Sequence, residues 1–102
     1  MIMTATNPLP RDLAQRAVRR QFFAREDAEA ILDWCEDNGH KFLGIDVADQ
    51  QDDGNWMLLL EPMLDLSKQT NNFEAIRRGR QFLSEYEQMG RIFEPVWEGR
   101  SR

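Results

Sequence analysis

The sequence predicts an α+β fold: a small single domain with N-terminal helices, a β-hairpin, a long C-terminal helix and a short terminal extended segment. Apolar residues recur with helical spacing before residue 39 and after residue 71, and two runs between these positions have the character of strands. A chain of 102 residues is the size of one domain. We therefore expect residues 1–102 to form a single domain, with helices on one face of the sheet and flexible ends at residues 1–8 and 98–102.

The N-terminal segment predicts a first helix that begins at Asn7 and includes Arg11 to Gln21. Asparagine is a favoured cap, and the prolines that follow it are tolerated in a first turn. The apolar residues of this segment form no clean stripe, however. A strand from Val18 to Phe23 is therefore the alternative that the sequence leaves open.

A second helix is predicted by four apolar residues that share one face: Ala28, Ile31, Leu32 and Cys35. Glu26 and Asp27 fall in its first turn, where acids interact favourably with the helix dipole. Gly39 supplies the left-handed residue at which many helices end. Cys35 is the only cysteine, so it cannot form an internal disulfide, and we expect it to be buried as a small apolar side chain.

The middle of the chain predicts a β-hairpin. Residues 41–48 alternate between two faces, Trp56–Leu60 is a continuous apolar run, and a polar loop that ends in Asp, Gly and Asn joins them. A continuous apolar run is typical of a strand covered on both faces, which is what we expect for Trp56–Leu60. Pro62 lacks a ladder donor, so this strand should become an edge, bulge or end near Glu61.

The last third of the chain predicts a long helix and an extended segment, Ile92–Trp97. Asn71 is the expected helix cap, with Glu74 at the capping-box position. Gly79 inside the helix costs about 1 kcal/mol relative to alanine, so either another element packs closely there or the helix bends. Gly90 is the expected stop. The predicted inward stripe is Phe73, Ile76, Leu83 and Tyr86.

Charge is segregated along the chain. Twelve acids and a single base, Lys41, lie between Glu26 and Asp65, while both flanking segments are net basic. A field of this sign attracts basic proteins and repels phosphates, and a net charge of −5 argues against nucleic acid as a partner. The leading hypothesis is a small acidic, non-enzymatic module that docks a basic protein, as expected of an inhibitor, an immunity or antitoxin-type factor, or an adaptor.

The predicted partner-binding residues combine carboxylates with aromatic anchors. Charged residues at a rim speed association, and tryptophan supplies apolar affinity. The acids come from the second helix and the hairpin loop, and the tryptophans from the second helix and the tail. The predicted set is Asp33, Trp34, Glu36, Asp37, Asp49, Asp52, Asp53 and Trp97.

Two other functions stay open. One is a self-associating structural subunit, a homodimer in which the C-terminal segment Ile92–Trp97 pairs with a second copy. The other is a metal-dependent enzyme that uses His40, the only histidine, with Asp46 or Glu61 as an acid–base pair. The hairpin loop does not match a calcium-binding loop of the EF-hand type, because Leu60 occupies the position where a bidentate glutamate is required.

The remaining features argue against several other classes. The sequence contains no catalytic motif, glycine-rich phosphate loop or metal signature, so we predict no enzymatic activity and no cofactor. It contains no signal-peptide pattern and no membrane-length apolar run, which together with the lone cysteine predicts a cytoplasmic protein. Arginines at residues 16–20 and 77–80 are more typical of solvated helix faces, or of ion pairs with the acidic segment, than of a phosphate-binding site.

Overall fold

The computed structural model describes residues 9–98 and confirms the α+β class. The expected cap at Asn7 and the chain ends at residues 1–8 and 99–102 lie outside the described residues. Within the described range the chain forms three helices and a three-stranded antiparallel sheet. In chain order the elements are α1 (Arg11–Ala14), α2 (Arg25–Asn38), β1 (Phe42–Gln50), β2 (Trp56–Asp65), α3 (Asn72–Tyr86) and β3 (Arg91–Trp97).

The sheet has the strand order β2-β1-β3, so β1 is central and pairs with both neighbours. Val47 pairs with Leu59 on one side and with Phe93 on the other, and these side chains face the core. The β1–β2 register shifts between Ile45 and Val47, opposite residues 60–63 of β2. The predicted irregularity near Glu61 is therefore confirmed, and β2 resumes beyond it.

Helices α2 and α3 pack against each other and against one face of the sheet. Their apolar faces and the inner face of the sheet exclude water from a single core, which is the main source of stability in a domain of this kind. Within this layer α2 contacts β3 and α3 contacts chiefly β1. The fully buried core residues include Ile31, Leu32, Phe42, Ile45, Val47, Ile76, Leu83 and Phe93.

The N-terminal segment does not continue as the helix through Gln21 that the sequence allowed. Helix α1 is only four residues long, and a tight turn follows in which backbone hydrogen bonds join Arg19 and Phe22. Phe23 then exchanges two backbone hydrogen bonds of 2.7 and 2.8 Å with Phe93 of β3. The alternative strand from Val18 to Phe23 does not form either, because the chain reverses direction in this turn. Only the end of that range is extended, where Phe23 buries its side chain and satisfies backbone groups at the edge of β3.

Helix α2 forms as predicted. The four residues of its apolar stripe are all buried, and Gly39 follows in a left-handed conformation with φ of 71°. The backbone N–H of Gly39 donates to the Glu36 carbonyl, and that of His40 donates to the Cys35 carbonyl at 2.9 Å. These bonds satisfy carbonyls that the end of the helix would otherwise leave unpaired.

We expect the Cys35 thiol to be unreactive in the native protein. Its side chain is fully buried, and this burial raises the pKa of the thiol to about 12, so almost no thiolate forms at neutral pH. A maleimide reagent should leave the native protein unlabelled and should label the urea-unfolded protein once, as measured by intact mass spectrometry. Native labelling at the rate of the unfolded chain would contradict the packing of α2.

Side-chain hydrogen bonds hold the start of α3, both within the helix and to the sheet. The Asn71 side chain accepts a hydrogen bond of 3.1 Å from the backbone N–H of Glu74, so the predicted cap is confirmed. The next side chain, Asn72, accepts from the N–H of Phe42 at 2.8 Å and donates to the carbonyl of His40 at 3.0 Å. One amide group therefore joins α3 to the first residue of β1.

Gly79 lies where α3 packs closely against α2 and β1. A Cβ atom at this position would lie 2.6 Å from Cε2 of Phe42 and 2.8 Å from Cδ2 of Leu32. Of the two explanations offered by the sequence, close packing is therefore the correct one. The same approach corrects the predicted stripe: Ile76 and Leu83 are buried, but Phe73 is 70% exposed and Tyr86 is 38% exposed. The helix turns its small residues toward the sheet, which moves Phe73 out of the contact.

The expectation that Trp56–Leu60 is covered on both faces is wrong. Strand β2 lies at an edge of the sheet, and the helical layer covers mainly β1 and β3. Leu58 is 60% exposed and Leu60 is 83% exposed. The proline was the better indicator, because Pro62 cannot donate to a ladder and is tolerated where a strand has a free edge.

Candidate interaction surface

Two of the predicted acids on α2 are engaged within the chain. Arg80 of α3 donates to Oδ1 of Asp33 at 2.6 Å and to Oε1 of Glu36 at 2.9 Å. Arg16 similarly pairs with Asp27 at 3.3 Å. The acidic segment and its flanking arginines are separate in sequence but meet in space. These exposed ion pairs add little stability, but they neutralise part of the acidic field along α2.

Asp49 also forms an internal ion pair. It faces Arg91 across the β1–β3 ladder, and Arg91 donates to both carboxylate oxygens, at 2.7 and 2.9 Å. A third bond of 2.9 Å joins Arg91 to the carbonyl of Tyr86 at the end of α3. The hydrogen bonds to Asp49 raise the pKa of Arg91. This geometry makes Asp49 a structural residue of the sheet.

The two predicted tryptophan anchors lie against each other. Trp97 is 4% exposed, and its ring centre is 5.4 Å from that of Trp34 in an edge-on arrangement. The other neighbour of Trp34 is the ring of His40, at 4.5 Å. Burial in the core removes Trp97 from the set of surface anchors, whereas Trp34 stays partly accessible.

The other three predicted acids are exposed but do not share a surface. Asp37 lies near the end of α2, just before β1, whereas Asp52 and Asp53 lie in the loop that follows β1. A nine-residue strand between these positions spans about 30 Å. The eight residues of the sequence prediction are therefore not brought together as one patch.

The main exposed apolar surface lies elsewhere, on β2. We call it the β2 edge surface, and it consists of Met57, Leu58, Leu60 and Met63. Strand β2 pairs only with β1 among residues 9–98, so no strand covers its outer side. Apolar side chains on an unpaired edge are a common template for pairing with another chain.

A groove of about 670 Å³ runs between β2 and α3, beside this edge. The apolar part of its lining includes Leu64 of β2 with Phe82 and Tyr86 of α3. It exists because α3 lies chiefly over β1 and covers the inner face of β2 only in part. The exposed charged residues of the same groove are Glu61, Arg78 and Glu85.

A second groove, of about 420 Å³, lies on the other face of the sheet. Trp56 and Leu58 of β2 line it together with Ile92 of β3 and the turn at Arg19 and Arg20. Two acids, Asp46 and Glu94, balance the two arginines there. Apolar surface is thus accessible on both faces of β2 as well as along its edge.

Carboxylates surround the β2 edge surface. Asp52 and Asp53 precede the strand, and three more acids, Glu61, Asp65 and Glu85, lie on β2 or the facing wall of α3. Nearby cations are Lys68, which attracts Asp65, Arg78 of the first groove, and Arg19 and Arg20 of the second groove, where Asp46 and Glu94 oppose them. None of these five acids forms an ion pair with another described residue.

The backbone N–H of Ser67 donates to Asp65 at 3.0 Å and lowers the pKa of that carboxyl group. A lowered pKa in the folded state means that the fold favours the carboxylate form. This contribution is present at neutral pH and is lost as the pH falls through the folded-state pKa. The Asp65 carboxyl group beside the β2 edge surface therefore stays negatively charged at physiological pH.

The three residues of the enzyme alternative have different environments. His40 packs on Trp34, Asp46 lies on the face of the sheet that carries the second groove, and Glu61 lines the groove beside α3. His40 lines neither groove. Over residues 9–98 no group of three or more histidine, cysteine, aspartate or glutamate side chains is arranged to hold a metal ion.

No helix in the described part of the chain is both long enough and apolar enough to cross a membrane. Comparison with protein-family models, with curated proteins and with solved structures finds no match for this chain.

Proposed function

We propose that this protein is a non-enzymatic protein-binding module whose docking site is the β2 edge surface, with the acids around it steering a basic partner. The observation that carries the proposal is an uncovered edge strand with Leu58 and Leu60 largely exposed. Burial of such side chains supplies affinity, at about 25 cal/mol per Å² of apolar area. A complementary charged rim adds speed and specificity of association.

The proposed partner is still a basic protein, as expected from the sequence, but the proposed binding site lies on β2 and not on α2. Asp33 and Glu36 of α2 pair with Arg80, and Asp49 pairs with Arg91, so the fields of these three acids are partly cancelled locally. The acids near β2 have no such partner within residues 9–98 and lie next to exposed apolar side chains. Charge and apolar area therefore coincide at β2 and not at α2.

Site-specific photo-crosslinking in the source cell tests this choice of surface. A photoreactive residue in place of Leu60 should give a defined crosslinked protein, whereas one in place of Asp37 on α2 should not. Both positions are exposed, so the comparison is not biased by accessibility. Crosslinking at position 37 alone would reject the β2 edge surface and favour the site expected from the sequence.

The kinetics of the captured complex test the electrostatic part. Charge reversal by Asp53→Lys should slow association severalfold, and Asp37→Lys, which makes the same charge change outside the surface, should have little effect. Raising the salt concentration to physiological levels should slow the wild-type association and reduce the difference between the variants. An association rate that does not respond to salt would remove electrostatic steering from the proposal.

A further inference from the structure

We infer that the segment bound at the β2 edge surface is an extended stretch of another protein, which adds to the sheet as a fourth strand beside Trp56–Leu60 and has an apolar centre flanked by Lys or Arg at both ends. The inference rests on the proposed function and specifies its partner. Strand addition of this kind uses main-chain hydrogen bonds for affinity and flanking side chains for specificity.

The backbone limits where such a strand can add. From Trp56 to Leu59 the register with β1 is regular, so the outer backbone groups of β2 keep the spacing of a normal ladder. Residues 60–63 leave that register, and Pro62 has no N–H to donate. Pairing is therefore confined to the regular residues Trp56–Leu59 and the adjoining Leu60, a window of about five residues that spans about 17 Å.

The side chains of this window define the centre of the incoming segment. Leu58 shares a face with Ala48, which it pairs with, while Leu59 faces the helical core with Val47. A strand added beside them would lie next to apolar side chains on both of its faces. A centre of apolar and β-branched residues fits this position, whereas an alternating charged segment would bury unpaired charge.

Charge defines the two ends of the incoming segment. Asp52 and Asp53 lie in the hairpin loop, separated from the window by Gly54 and Asn55, and Glu61 follows the window directly. All three are exposed, and none is in an ion pair within residues 9–98. Basic residues at both ends of an apolar centre would meet opposite charges in either strand direction.

The same arrangement disfavours a second copy of this chain. In an antiparallel pairing of two copies about Leu58, Glu61 of one copy would lie across from Asn55 and diagonal to Asp53 of the other. In a parallel pairing in register, Glu61 would face Glu61. Like charges placed across a strand pair are destabilising, and acids at both ends of the window make this repulsion independent of direction.

Binding of synthetic peptides to the full chain, measured by fluorescence anisotropy, tests the inference. The probe is a labelled peptide with five central valine and threonine residues and two arginines at each end. One control peptide carries glutamate in place of every arginine, and a second carries N-methyl groups on alternate central amides. The protein variants are Leu60→Lys, Glu61→Lys and, as a matched charge reversal outside the surface, Asp37→Lys.

The arginine-flanked peptide should bind the wild-type protein and Asp37→Lys equally. Its Kd should rise about tenfold or more for Leu60→Lys and Glu61→Lys. Both control peptides should bind the wild-type protein with a Kd that is also about tenfold or more higher. Equal binding of the N-methylated peptide would overturn strand addition while leaving the β2 edge surface as a docking site. If the arginine-flanked peptide did not bind, the inference would also be overturned. The crosslinking experiment at position 60 would still test the proposed function independently.

Sedimentation of the protein alone tests the rival occupant. The wild-type chain should remain monomeric at micromolar concentration. A dimer that Leu60→Lys dissociates would show that a second copy occupies this edge and would overturn the inference of a basic segment.

Discussion

Replacing Gly44 with alanine should lower the free energy of unfolding by about 3 kcal/mol or more. Gly44 lies in the central strand, between Asp65 of β2 and Val96 of β3, with φ of 150°, a conformation that residues with a side chain rarely adopt. A Cβ atom there would also collide with the backbone carbonyl oxygen of Leu64. Relief would require β2 to move away from β1, which would disturb the whole ladder between them.

Gly54→Ala is a matched control for this substitution. Gly54 has φ of 85° in the hairpin loop, and a Cβ atom there meets nothing within 4 Å. The control therefore carries the conformational cost alone and should lose about 1 kcal/mol. Urea unfolding followed by tryptophan fluorescence measures both values. If Gly44→Ala lost no more stability than Gly54→Ala, the close approach of β1 and β2 at this point would be contradicted.

Replacing Arg91 with methionine should destabilise the protein by about 2 kcal/mol, less than the loss expected for a fully buried ion pair, because the Asp49 carboxylate keeps some contact with water. The side chain of Arg91 is only 9% exposed and forms two hydrogen bonds with Asp49 and one with Tyr86. Its loss leaves a carboxylate that is 20% exposed without its partner. Asp49→Asn in the methionine background should recover part of the loss, because it removes the uncompensated charge.

An exposed pair provides the control. Arg77 and Glu74 form an ion pair on the surface of α3, so Arg77→Met should change stability far less than Arg91→Met. Equal effects of the two substitutions would show that the Asp49–Arg91 pair has no special structural role.

The effect of Arg91→Met should not depend on pH between about pH 6 and pH 10. The pKa of Arg91 is raised by its hydrogen bonds to Asp49. A raised pKa stabilises the fold at every pH below the unfolded value, and the contribution is lost only as the pH rises through the folded value. Chemical unfolding of both proteins across this range measures the difference directly.

Much of the secondary structure follows from short-range signals. The cap at Asn71, the stop at Gly39 and the buried stripe of α2 each depend on residues within about one or two helical turns. The hairpin is equally local, since two apolar runs are joined by a short polar loop. These elements were predicted correctly for that reason.

The N-terminal segment shows the limit of local signals. Residues 18–23 had no clean period in sequence, and their conformation depends on Phe23 pairing with Phe93, seventy residues away. The predicted burial of Phe73 was wrong for a related reason. Its exposure depends on how closely Gly79 lets α3 approach Phe42, and helical spacing in the sequence does not reveal this.

The candidate site depends still more on distant contacts. The sequence shows that acids are concentrated in the middle of the chain, but it does not show that three of them form ion pairs with Arg80 and Arg91. It shows a run of apolar residues from Trp56, but not that the strand order leaves this run at an edge. Pro62 was the one local signal for that edge.

Composition and local pattern were thus sufficient for the fold class, the end of α2 at Gly39, the cap of α3 at Asn71 and the net negative charge. They were not sufficient for the other ends, because α1 ends at Ala14 and not at Gln21, and α3 ends at Tyr86 and not at Gly90. The tertiary structure alone decided which carboxylates remain without cations, which tryptophan is buried and which strand is exposed. The physical reason is that ion pairing and burial depend on which elements become neighbours. In this chain that choice follows from the strand order β2-β1-β3 and from a helical layer that covers only β1 and β3 well.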